Sequence, residues 1–334
     1  MNKIIKRIAI VRLSALGDIV NSAVVLQFIS KKYKNAKIEW ITEEVFAPLL
    51  RGHPLIYKVH TVNLKRLKKE KSLSLFKETI QKLNSLEKFD IVIDMQGLLK
   101  SALVAKIIDG DTHGYSKSSA REFLASYFYK TTSTISYLEN IVTRNCFVVA
   151  NGLGFDITDE MILNKKAIFE FTRIETLQKK KKNIAIVIGA SWDSKIYPKE
   201  SIVKLCNTLQ ENSILIWGND KEKEDAEWIS KNSQYAKVAD KMSLVELVSF
   251  ISNMDLLIGN DTGPTHMAWA QNIPSITLFG PTNSRMIFQT PINIAIESPS
   301  DVDIMKIDKN DYSIKEIKVT TIVNRAEELL NNGI

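Results

Sequence analysis

Four short stretches of the 334-residue chain combine residue types that could do chemistry. R-L-S-A-L-G-D, residues 12–18, ends on Gly17 and Asp18. Glycine lets the backbone turn tightly, and a carboxylate at the helix start that follows is favoured in its ionised form by the helix dipole. Asp18 is then either a cap that only satisfies helix amides or a general base open to a substrate hydroxyl. G-N-D-T-G-P-T-H, residues 259–266, gathers Asp261, Thr262, Gly263 and His266. Pro264 suits the first helical position, so the amides of Thr262, Gly263 and Thr265 would leave a helix N-terminus ready for a diphosphate. The plainer reading is a capped helix with an exposed histidine. G-A-S-W-D-S-K, residues 189–195, offers Ser191 and Lys195. That lysine is either surface decoration or a mobile cation that stabilises leaving-group charge. W-G-N-D-K-E, residues 217–222, ends on Glu222, which could accept hydrogen bonds from ribose or sugar hydroxyls or merely start a helix. None of the four ends in the Gly-Lys-Ser/Thr of a Walker A loop.

Each stretch follows a short run rich in Ile and Val and precedes a helical pattern. Such runs are the mark of parallel strands buried on both faces. The pattern predicts strands at 8–13, 36–41, 91–94, 183–189, 213–217, 255–259 and 275–279. It predicts helices at 18–33, 72–87, 98–108, 199–211 and 316–331. The expectation is an α/β chain of two facing, doubly wound, Rossmann-like domains with a cleft between them and ligands at the carboxyl ends of strands. The domains would span 1–171 and 183–315, joined by a linker at 172–182. A C-terminal segment, 316–334, could pack back on the first domain.

Hydrophobic residues make up 45% and charged residues 25%, a globular balance that excludes a disordered, collagenous or coiled-coil chain. No run of about 18 apolar residues is present to span a membrane. The net charge is +7, and residues 1–170 hold 26 of the 45 Lys and Arg with fewer than half of the acids. The first half should therefore face something anionic: nucleic acid, a lipid headgroup surface or an acidic, phosphorylated sugar. No nucleic-acid motif accompanies the charge. Nine Lys and Arg against three acids lie between positions 58 and 88, read as a flexible cationic rim, and Lys179 to Lys182 form a second basic run, read as a solvated linker. Cys146 and Cys206 have no C-x-x-C partner and read as buried bystanders. His53, His60 and His113 lack ligand spacing, the calcium-like start at Asp109 has Ala120 at its twelfth position, and no metal is expected.

Taken together, these motifs resemble the lipopolysaccharide heptosyltransferases, inverting glycosyltransferases of family 9 with the GT-B architecture. The turn from Ser14 to Asp18 and the stretch from Asn260 to His266 mark the family broadly. D-M-Q-G-L-L-K-S (94–101) and A-R-E-F-L-A-S-Y-F-Y (120–129) resemble the members that add the first heptose. The resemblance implies transfer of heptose from ADP-heptose to Kdo of Kdo–lipid A, without a metal or other cofactor, at the cytoplasmic face of the inner membrane. It implies Asp18 as base, Lys195 and Ser191 at the donor phosphates, Glu222 at the ribose and Met242 near the adenine. Asp261 would contact the heptose, and Thr262, Gly263 and His266 the diphosphate. Gly17, Arg66 and Arg121 would meet the acidic acceptor, with peripheral attachment to the anionic membrane and no nucleic-acid partner. Ser191-Trp192 departs from the threonine pair of the family. Two alternatives stand beside this: a family member that acts one sugar later, and a non-catalytic module that binds nucleotide sugar or glycolipid.

Overall fold

Ile8, Ala9, Ile10 and Val11 are wholly shielded from water, which fits strand β1 (Arg7–Val11) lying at the centre of a parallel sheet covered on both faces. In the computed structural model, which describes residues 5–174, 180–303 and 306–331, β1 is joined by β2 (Lys37–Glu43), β3 (Lys58–Val62), β4 (Ile91–Asp94), β5 (Thr112–Tyr115) and β6 (Thr131–Ser133). Their order is β3-β2-β1-β4-β5-β6. A second sheet holds β7 (Asn183–Val187), β8 (Asn212–Ile216), β9 (Ala236–Val238), β10 (Leu256–Asn260), β11 (Ser275–Phe279) and β12 (Asn293–Glu297), in the order β12-β11-β10-β7-β8-β9. Read from β9, this is the order of the first sheet again. All the pairings are parallel. The strand order reverses between β1 and β4 in one sheet and between β7 and β10 in the other, and such switch points open the crevice where α/β sheets bind ligands.

The chain divides into two units, Met1–Ile168 and Phe169–Ile334, and the α/β, doubly wound expectation holds in each. Several details differ from expectation. The helix expected at 18–33 is two helices, Leu16–Ala23 and Val25–Lys32. The supposed flexible rim at 58–88 is ordered as β3 and the helices Leu64–Glu70 and Leu73–Asn84. The side chains of Asn63 and Ser72 cap these helices, accepting from the amides of Arg66 and Leu75. The terminal helix, Val319–Asn331, belongs with the second unit. Its Ile322, Val323 and Ala326 join the core that includes Leu205 of the Lys199–Leu209 helix, and this apolar stripe decides its place. Lys179 lies outside the described residues. Lys181 is held to the second unit through the carbonyl of Gln210 (2.6 Å) and the ring of Tyr235. Both cysteines are free and buried.

One buried carboxylate ties the first three strands. Glu39 of β2 lies 2.6 Å from Nη2 of Arg7 on β1 and 2.6 Å from Nε2 of His60 on β3. Burial pushes its carboxyl up, but the hydrogen bonds from His60 and Arg7 outweigh burial and hold it below the ordinary value of 4.5. Its ionised form therefore supports the fold above that value, and the support fades as pH falls through the lowered native value. Glu39→Gln should cost about 1–3 kcal/mol at pH 7. In urea melts the gap to the native chain should shrink below about pH 4, and an unchanged gap at pH 3 would refute the assignment.

Candidate functional site

Every candidate residue lies beyond the carboxyl end of a strand, because in a parallel sheet each such end runs directly into a loop or helix start. In the first unit the Ser14–Asp18 turn follows β1, and Gly17 is buried in its helical start. Asp18 is the third residue of the Leu16–Ala23 helix, not its cap. Its Oδ2 accepts the N–H of Ala15 (3.1 Å), and its Oδ1 lies 2.8 Å from Nη2 of Arg12. The Arg12 side chain is 5% exposed and Asp18 27%, so an inner cation anchors a carboxylate that still reaches water. Arg12 is itself held by the carbonyl of Met95. The turn after β4 buttresses the same loop: Gln96 accepts the N–H of Leu13 at 2.9 Å, and the Lys100 ammonium lies 3.2 Å from Oγ of Ser14. Asp94 beneath is fully buried. Burial pushes its carboxyl up, although Ser101, Tyr129 and the amides of Gln96 and Gly97 all hydrogen-bond to it. Arg66 and Arg121 are exposed. Arg66 pairs with Glu70 one helical turn on, at 2.8 Å, and no contact joins either arginine to Asp18 among the described residues.

The second unit brings three of the candidates into direct contact. Asp261, at the end of β10, is buried, and its Oδ2 accepts from Nζ of Lys195 (2.5 Å) and Oγ1 of Thr282 (2.9 Å). Its Oδ1 lies 3.2 Å from Nε2 of His266. Burial alone would push this carboxyl up, but the Lys195 ammonium and the His266 hydrogen bond hold it well below the usual carboxylate range. Lys195 is thus not the mobile loop cation expected. It is buried, donates also to the carbonyl of Asp261 (3.0 Å), and lies 5.1 Å from the ring centre of Trp192. An ammonium has three N–H donors, so one remains for a ligand oxygen.

Asn260 braces this arrangement. Its Nδ2 donates to the carbonyls of Ile188 (3.1 Å) and Gly189 (3.2 Å), and its Oδ1 accepts the N–H of Tyr197 (3.1 Å), so β10 holds the Lys195 loop in place. A Cβ on Gly259 would fall 2.7 Å from Cβ of Val187 on β7, which accounts for glycine there. Thr262 stands at the N-cap position of the Gly263–Ala270 helix, without a side-chain capping bond. Pro264 is second in that helix, one position later than expected, and the Thr265 amide is taken by the Thr262 carbonyl (3.1 Å). Among the described residues, the amides of Thr262 and Gly263 carry no such bond.

Glu222 forms a separate group beyond β8. It accepts from the N–H of Gly218 (2.6 Å) and from Nδ2 of Asn219 (2.8 Å). Its carboxyl lies against Gly189, where a Cβ would fall 2.1 Å from Cδ, so a larger residue there would displace the Glu222 carboxyl from this position. A cavity of about 370 Å³ opens beside it, walled by Ile188, Ala190, Tyr197 and Asn219, within the size range of ligand pockets. Met242 is half-buried just before the cap Ser243, and Ser191 is exposed beyond β7. Neither touches the Asp261 group among the described residues. The sequence reading gave no role to Arg12 or Thr282 in holding these carboxylates. An arginine at the end of an apolar run, two residues before Ser14, and a threonine after a strand in F-G-P-T were the signals available.

Comparison with known proteins extends this picture. The model of glycosyltransferase family 9 (heptosyltransferase) matches residues 78–299. Lipopolysaccharide heptosyltransferase 1 of Campylobacter coli is 38% identical over 345 aligned positions, covering 98% of this chain and 99% of that protein. Its namesake in Escherichia coli K12 is 30% identical, covering 84% of this chain and 90% of its own length. Among solved structures, E. coli heptosyltransferase WaaC with ADP-2-deoxy-2-fluoro heptose superposes with a TM-score of 0.79 at 24% identity, over 96% of this chain and 99% of that one. That likeness speaks for the fold.

The Lys195–Asp261 pair can be tested as a unit. Lys195→Met should strand a buried charge and cost about 3–5 kcal/mol. Adding Asp261→Asn should recover a large part of that loss in chemical denaturation. Purely additive losses would show that the two groups are not coupled.

Proposed function

The chain belongs to glycosyltransferase family 9, the heptosyltransferases, and from that footing we propose that it transfers heptose from ADP-heptose to Kdo of Kdo–lipid A, with Asp18 as general base. The observation that carries the reading is the buried Asp261–Lys195–His266 cluster beside the start of the Gly263–Ala270 helix, at the switch point of the second sheet. A cation and free helix amides together suit a departing diphosphate, and a carboxylate with unfilled acceptor capacity suits sugar hydroxyls. The two relatives named above are both heptosyltransferase 1, which favours addition of the first heptose over the next.

In this reading the acceptor hydroxyl gives its proton to the Asp18 carboxylate as its oxygen attacks the anomeric carbon. The bond from that carbon to the diphosphate breaks on the opposite face, so the configuration inverts and ADP leaves with the electron pair. Lys195 supplies its remaining N–H to a phosphate oxygen, with Ser191 near by, and Thr262, Gly263 and His266 hold the diphosphate. Asp261 receives heptose hydroxyls, Glu222 the ribose, and Met242 packs on the adenine. Gly17, Arg66 and Arg121 meet the acidic acceptor. Arg12 fixes the base, since one carboxylate oxygen is committed to it. The leaving group is stabilised by these groups alone, so no metal takes part. The unit that carries Asp18 holds 26 Lys and Arg against 16 acids, which supports peripheral attachment at an anionic, cytoplasmic membrane face. No helix among the described residues is long and apolar enough to cross a membrane.

Asp18→Asn keeps an acceptor for the Ala15 amide but loses the base. It should bind ADP-heptose within a few-fold of the native chain while turnover falls about a hundredfold or more. Unchanged turnover would sink the assignment and favour a binding module in which Asp18 is structural. Transfer by the native chain should be the same with excess EDTA as without it, and loss of transfer that Mg²⁺ restores would overturn the metal-free scheme.

A further inference from the structure

Three neighbouring elements of the first unit expose apolar side chains that the fold leaves uncovered. The 3-10 helix Phe123–Phe128 exposes Phe123 (51%), Leu124 (48%) and Tyr127 (68%). It packs on the Leu99–Ile107 helix through Ala125, Ala102 and Tyr129, and that helix exposes Leu99 and Leu103 on successive turns. The Leu73–Asn84 helix packs beside it in turn and exposes Leu73 and Phe76. Scattered exposed apolar residues need no explanation, but a group of them on adjoining elements does.

The charge around them is one-sided. Residues 64–84, 99–107 and 116–130 carry twelve Lys and Arg against three acids. Two of the acids are spent locally: Glu70 pairs with Arg66 at 2.8 Å, and Glu122 accepts the amide of Leu99 at 2.6 Å. Lys117 stands 5.8 Å over the ring of Phe123, so cation and aromatic share one surface. Arg66 and Lys130 are paired, with Glu70 and Asp111, but cations remain in excess, and apolar side chains set among such an excess are the composition of a face that lies in an anionic lipid interface, with rings among the acyl chains and ammonium groups at the phosphates.

We infer that this face, centred on Phe123, Leu124 and Tyr127, is where the protein inserts into an anionic bilayer. The inference rests on the lipid-linked acceptor proposed above and adds the element that meets the lipid. The face is close to the base in the fold. The Lys100 ammonium, one residue from Leu99, lies 3.2 Å from Oγ of Ser14 in the Asp18 turn, and the amide of Glu122 donates to the carbonyl of Gly97 in the turn after β4. An enzyme seated on this face would hold Asp18 near the headgroup layer, where a lipid-anchored sugar must be met. The cations draw the protein to the surface, and the rings make attachment resist salt.

The test compares the native chain with the triple variant Phe123→Ser/Leu124→Ser/Tyr127→Ser, using vesicles of phosphatidylglycerol and phosphatidylethanolamine in equal parts. The native chain should sediment with these vesicles and not with phosphatidylcholine, and the triple variant should bind about tenfold more weakly. Transfer to Kdo–lipid A embedded in the same vesicles should fall by a similar factor. Transfer to a deacylated, water-soluble Kdo acceptor should be equal in both proteins, which also certifies the variant's fold. In Tyr127→Trp, the emission added to that of the five native tryptophans, taken as the difference from the native chain, should shift to the blue on addition of vesicles. Equal vesicle binding by the triple variant, or unshifted emission, would overturn the inference. So would a native chain that self-associates through this face and ignores vesicles. Absence of transfer to either acceptor by the native chain would instead count against the proposed reaction, since vesicle binding is read separately.

Discussion

An ionised carboxylate with almost no access to water is costly unless other groups compensate it, and Asp261 is such a group. Its compensation comes from three different strand ends: Lys195 beyond β7, His266 beyond β10 and Thr282 beyond β11. His266 is local, five residues on from Asp261, but Lys195 and Thr282 come from 66 and 21 residues away. The sheet must first bring β7, β10 and β11 side by side, and Gly259 must let β10 come close to β7. Asn260 then ties the Lys195 loop to the same strand end. The parallel order of the second sheet is, in this sense, a device for keeping one carboxylate charged and one ammonium aimed.

The first sheet repeats the order and solves a similar problem with other residues. There the carboxylate is Asp18, nearer to water, and the cation is Arg12, nearer to the core. The turn beyond β4 supports both through Met95 and Gln96. One topology thus presents two kinds of carboxylate. Asp261 is closed in by donors on both oxygens, which suits recognition. Asp18 keeps one side open to solvent, which suits proton transfer.

Much of this was legible because the chemistry sits where buried strands end, and buried parallel strands leave plain runs of Ile and Val. β1, β4, β7, β10 and β11 were all read this way, and with them the positions of Asp18, Lys195 and Asp261. β3, β5, β6, β9 and β12 were not. Lys58–Val62 reads K-V-H-T-V, with only two apolar residues, inside a basic stretch, and Thr112–Tyr115 and Thr131–Ser133 are polar strands whose His113 is satisfied by Thr131 and Ser133 at 2.8 Å each. Spacing also could not tell that Lys195 is buried, because its partner is 66 residues away in sequence. Arg12 looked like part of a motif and not like the anchor of Asp18, because the Met95 carbonyl that holds it lies 83 residues away. The terminal helix was ambiguous because its apolar stripe identifies a buried face without saying whose core receives it.

Trp192 has a further consequence. Its indole lies 5.1 Å from the Lys195 ammonium and 4.8 Å from that of Lys309. Attraction of a cation to the ring face depends on the ring's own electron density, and so do the colour and brightness of the light it emits. Drawing Lys195 toward a phosphate would remove one of the two fields acting across that ring. The chain therefore carries, beside Lys195, an optical gauge of whether that lysine is resting on Asp261 or engaged elsewhere.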